Sequence, residues 1–80
     1  MKIRKAVMQN MNKVLPVYVY EDKKEELFLV AVPEIHWSYS IPYEYEVKLK
    51  DDIRESIASI LTEEAAEELE IKIFQWIHEM

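Results

Sequence analysis

The chain contains no cysteine and no glycine, and only three prolines among its 80 residues. Without cysteine there are no disulfides, no thiolate nucleophile and no sulfur-ligated zinc or iron–sulfur site. A reducing compartment is the expected setting. Without glycine, neither a phosphate-cradling loop nor a dinucleotide-binding turn is built, because both need backbone positions that residues with a Cβ fill poorly. Nucleotide-dependent chemistry is not expected. No apolar run reaches the length of a signal-peptide core or a membrane span, and residues 1–4 are charged. The cytoplasm is the expected location, and no membrane partner is expected.

Positive charge is scarce as well: 10 Lys and Arg stand against 16 Asp and Glu, for a net charge of −6. The imbalance is uneven. Residues 1–13 carry Lys2, Arg4, Lys5 and Lys13 and no acid, whereas residues 61–80 carry Glu63, Glu64, Glu67, Glu68, Glu70 and Glu79 against Lys72 alone. Tight nucleic-acid binding needs a sustained basic patch that releases counterions, so it is disfavoured here. Most of these charges read as solvated faces.

Half of the residues are apolar. Eighty residues suffice for one core and not for two, so residues 1–80 are expected to form a single domain. Residues 3–8 are a strand candidate, and the Asn10, Met11 and Asn12 run reads as a turn, since asparagine tolerates left-handed backbone. In residues 14–20, Val17 and Val19 alternate with Tyr18 and Tyr20; Pro16 lacks an N–H and argues for an edge or a bulge. A charged loop over residues 21–25 follows. Residues 27–32 are apolar at both parities, the pattern of a central strand covered on both sides. After Pro33, Ile35, Trp37, Tyr39 and Ile41 alternate with His36, Ser38 and Ser40, a strand with one wetter face.

Residues 42–50 fit a strand and a helix equally. From Asp51 the helical period wins, with Ile53, Ile57, Ile60 and Leu61 on one stripe. Extending that helix would place Glu64 within its apolar stripe, so a break at Thr62 with a fresh N-cap is expected. In the second helix Ala65, Ala66, Leu69, Ile73, Trp76, Ile77 and Met80 share one face. Ile71, Phe74 and His78 lie nearly opposite, as a second buried contact or an exposed interaction strip. A strand over residues 71–77 is the competing reading. The fold class is α+β: three or four mainly antiparallel strands, then two helices packed on one side.

Residues that could carry chemistry are few. His36 and His78 are the only histidines, and neither sits at a spacing diagnostic of a metal helix. His36 with Ser38 and Ser40 reads as an ordinary polar strand face, and acid pairs such as Glu44 and Glu46 or Asp51 and Asp52 as exposed surface. No catalytic constellation is legible, and no cofactor is expected. Strand aromatics such as Trp37, Tyr39, Tyr43 and Tyr45 mostly fill small cores, with some share in a binding face. Two candidate surfaces remain: a partner strip of Ile71, Phe74 and His78, and a ligand face of His36, Trp37 and Tyr39.

The opening MKIRKA, the central LVAVPEIHWS and the closing FQWIHEM together resemble the small YueH-like proteins of Bacillus-type bacteria over nearly the whole chain. That resemblance implies a cytoplasmic bacterial setting and brings no activity and no functional residues. A weaker similarity, to HicB-type antitoxins, rests on the valine–proline–acid run within residues 29–35 followed by the helix at Ile53; the glycine expected after the third strand and a separate DNA-binding module are missing. The expectation is a non-enzymatic protein-binding module or homo-oligomer. The alternatives are an antitoxin-like inhibitor of a toxic ribonuclease and a small metal- or ligand-binding protein centred on His36.

Overall fold

A computed structural model describes every residue, Met1–Met80. Four strands, β1 (Lys2–Met8), β2 (Lys13–Asp22), β3 (Leu27–Val32) and β4 (Trp37–Pro42), are followed by two helices, α1 (Lys48–Ala58) and α2 (Glu63–Glu79). The strands pair in sequence order, each antiparallel to the last. Both helices lie on one face of this meander, the expected α+β layering. No helix is long and apolar enough to cross a membrane.

The alternation of each strand decides what that helix layer covers. Ala6 and Met8, then Leu15, Val17 and Val19, then Val30 and Val32, and finally Ile41, point inward and are fully buried. They meet Ile53 and Ile57 of α1 and the stripe Ala66, Leu69, Ile73 and Ile77 of α2, whose spacing of three and four keeps one side of the helix toward the sheet. Residues 71–77 are therefore helix, and the strand alternative fails.

The helix break falls at Thr62. Its Oγ1 accepts a hydrogen bond from the Ala65 N–H at 3.2 Å, satisfying one of the unpaired donors of the first turn. Residues 42–50 divide between the two states they fit: Pro42 ends β4, residues 43–47 connect, and α1 starts at Lys48, three residues before the expected Asp51. Ile60 lies past the end of α1 and is 47% exposed, so it leaves the stripe assigned to it.

Three further expectations are revised. Ile35 and His36 do not begin β4. Pro33 starts a 3₁₀ turn through Ile35, and His36 closes it with left-handed backbone at φ 52°. Because the chain has no glycine, its three positive-φ positions fall on Asn12, Glu26 and His36. Pro16 sits in an inner strand opposite Lys5 of β1, but pairing with β3 stops at Tyr18, so no β3 residue pairs with the position that lacks an N–H. Finally, β3 is central but covered on one side only, with Leu29 left 42% exposed.

If the cap and the stripe hold α2 in place, Thr62→Ala lowers unfolding free energy by about 1 kcal/mol and Leu69→Ala by about 2–5 kcal/mol. Urea denaturation followed by circular dichroism measures both.

Candidate functional site

The second face of the sheet has no helix over it. There β1 presents Ile3, Lys5 and Val7, and β2 presents Val14, Pro16, Tyr18 and Tyr20. From β3 come Leu27, Leu29 and Ala31, and from β4 Ser38 and Ser40. Register aligns them in rows. Ile3 lies opposite Tyr18, Tyr18 opposite Ala31 and Ala31 opposite Ser38, a row that crosses all four strands. A second row runs Tyr20, Leu29, Ser40. Ile3 (60% exposed), Val7 (59%), Val14, Tyr20 and Leu29 make up half of the chain's exposed large apolar side chains. Five such groups on one face form a contiguous patch, the arrangement that marks interaction surfaces, whereas scattered ones need no explanation.

Charge is nearly absent from this face. Lys5 is its one basic side chain, and Asp22, at the far end of β2, accepts a hydrogen bond from the Glu25 N–H within the next turn. The acids sit instead on the helix layer, where α1 and α2 carry nine Asp and Glu against four Lys and Arg. The tyrosines suit a docking role, offering large, rigid area with few rotatable bonds.

The residues singled out from sequence fall elsewhere. Trp37 and Tyr39 point toward the helices: Trp37 is buried, its Nε1–H donates to Ser56 Oγ at 2.9 Å, and its ring stacks on Tyr39. His36 is exposed in the turn before them, so His36, Trp37 and Tyr39 share no face. Among Ile71, Phe74 and His78, the middle residue is only 4% exposed. It packs against Tyr45 with Lys50 Nζ over its ring, while Ile71 and His78 remain exposed on either side. His78 Nε2 lies 2.8 Å from Tyr45 Oη. No three His, Asp or Glu side chains gather where they could hold a metal ion.

Three ionisable groups are perturbed. Glu68 of α2 accepts hydrogen bonds from the Gln9 N–H at 2.9 Å, the Asn10 N–H at 3.2 Å and Asn10 Nδ2 at 3.0 Å, tying the helix to the β1–β2 turn. Those donors, the Gln9 N–H foremost, hold its pKa below the usual glutamate value. Glu70 moves the other way, because burial opposes its charge more than Arg54 (3.8 Å) and Lys50 favour it. The Tyr43 hydroxyl donates to Glu21, which raises the phenol to about 12.

Comparison with known proteins gives one family. A family model described as YueH-like protein matches residues 2–79. The chain is similar to "Uncharacterized protein YueH" of Bacillus subtilis (strain 168), with 39% identity over the full length of both chains. No solved structure matches.

The two glutamates give opposite pH signatures. A depressed folded-state pKa supplies stability above the unfolded-state value and loses it as pH falls through the folded one, so Glu68→Gln destabilises at pH 7 and the deficit closes in acid. A raised pKa favours the fold below the unfolded-state value and loses that benefit as pH rises, so Glu70→Gln stabilises at pH 7 and the gain closes in acid. Melting temperatures from pH 3 to 8 show whether the two differences have opposite sign.

Proposed function

The chain belongs to the YueH-like family, and from that premise we propose that it is a non-enzymatic protein-binding module whose working surface is the uncovered face of the sheet. The observation that carries this reading is the concentration of Ile3, Val7, Val14, Tyr20 and Leu29 on that face. Burying them against a partner would gain roughly 25 cal/mol per Å² of apolar surface removed from water. Lys5, between Ile3 and Val7 on one edge strand, and Ser38 and Ser40 on the other supply the polar groups that give such a patch its specificity.

The Ile71 and His78 strip is a poorer surface for the same role. Its central ring is already used inside the fold, and charged side chains surround it, with Lys50, Glu70 and Glu79 lining the shallow groove between Ile71 and His78.

Matched substitutions separate the two surfaces. Leu29→Glu and Ile71→Glu each add one charge at an exposed apolar position, at 42% and 55% exposure respectively. Immobilised protein exposed to native lysate at high salt should retain a specific polypeptide, either another protein or more of the chain itself. Leu29→Glu abolishes that retention and Ile71→Glu leaves it intact; the reverse pattern, or equal retention by both variants, refutes the reading.

A further inference from the structure

Resting on that reading, we propose that the occupant of the uncovered sheet face is a second copy of the chain, docked sheet to sheet. The layers would then run helix, sheet, sheet, helix, each sheet covered on both sides. Three observations support this occupant over an unlike partner.

Charge is the first. With a net charge of −6, two copies repel unless their acids are kept apart. Sheet-to-sheet docking places both acidic helix layers on the far sides of sheets packed about 10 Å apart, beyond the screening length of about 8 Å at physiological salt. It brings together the two faces that carry almost no charge.

The distribution across the face is the second. Tyr18, Tyr20, Leu29 and Ala31 stand on the two inner strands, with Ile3, Lys5 and Val7 on the β1 edge and Ser38 and Ser40 on the β4 edge. A two-fold axis running between the copies, along the inner strands, sets apolar centre on apolar centre. It also lays the β1 edge over the partner's β4 edge, so Ile3 and Val7 are covered by the small Ser38 and Ser40 side chains and the two Lys5 ammonium groups do not meet. The outer edges themselves are poor joining sites: β1 carries Lys2, Arg4 and Lys5, and β4 ends in Pro42, features that discourage strand addition.

Area is the third. The strands are 7, 10, 6 and 6 residues long. At standard strand rise and spacing that gives a flat footprint of about 460 Å² per copy. Two such faces, with side-chain relief added, reach the roughly 1,000 Å² of a specific interface.

Sedimentation equilibrium from low to high micromolar concentration tests the proposal. The wild-type chain is expected to approach twice its 9.6 kDa mass, with Leu29→Glu weakening dimerisation at least tenfold and Ile71→Glu leaving it unchanged. Should Leu29→Glu lose its native near-ultraviolet circular dichroism, Val14→Glu replaces it on the same face. A wild-type chain that stays at single mass throughout, or a dimer insensitive to both face substitutions, overturns the proposal. If the wild type is monomeric yet retains a different polypeptide from lysate in a Leu29-dependent way, the second copy is wrong and the docking face stands. If it does neither, both fall.

Discussion

A sheet has two faces, and two helices side by side cover only one of them. The rest of this structure depends on that constraint. The strands alternate, so the covered face takes Leu15, Val17, Val19, Val30 and Val32 into a core with no exposure at all. The same alternation sends Val14, Tyr18, Tyr20 and Leu29 to the other side, where no second layer of the chain covers them. A strand wet on that side would carry polar residues at these positions, as β4 does with Ser38 and Ser40. Strands β1 to β3 place only Lys5 and Asp22 there among otherwise apolar and aromatic side chains.

Charge follows the same division. The acids that make the chain anionic lie on the helix layer, and several have structural work there. Glu68 reaches the backbone of the β1–β2 turn and ties the start of the sheet to α2. At the opposite corner Tyr43 donates to Glu21 and joins the segment after β4 to β2. The surface ion pairs Arg4–Glu79 and Lys13–Glu34, at 3.6 and 3.4 Å, add little, since exposed pairs are typically worth less than about 1 kcal/mol. Orientation of the helix layer therefore rests on the apolar stripe, the Thr62 cap and the Glu68 clamp. The uncovered face takes part in none of these, which leaves it free to change its surroundings without loss of the fold.

Much of the architecture was legible in sequence because it depends on local period. The alternation from Trp37 to Ile41, the reset at Thr62 and the three-and-four spacing of Ala66, Leu69, Ile73 and Ile77 each predicted the element that formed. The candidate site was not legible, and the reason is register. Ile3, Val14, Tyr20 and Leu29 come from three strands and look like ordinary strand residues until pairing sets them side by side. Residues 27–32 read as doubly covered because one chain of strand propensities cannot say whether the second cover is its own helix or absent. Phe74 looked available because its lid, Tyr45 and Lys50, comes from the segment whose state the period left undecided. His36 left its strand because Pro33 opened a 3₁₀ turn, a backbone event that side-chain alternation does not register.

The most direct measurement of the central claim is methyl nuclear magnetic resonance with a soluble paramagnetic probe, recorded over a range of protein concentrations. At low concentration the probe should broaden the methyl signals of Ile3, Val7, Val14 and Leu29 along with those of Ile60 and Ile71. As concentration rises, the first four should become protected while Ile60 and Ile71 stay broadened. Continued broadening of the sheet-face methyls at every concentration, or protection that appears first at Ile71, would contradict the account.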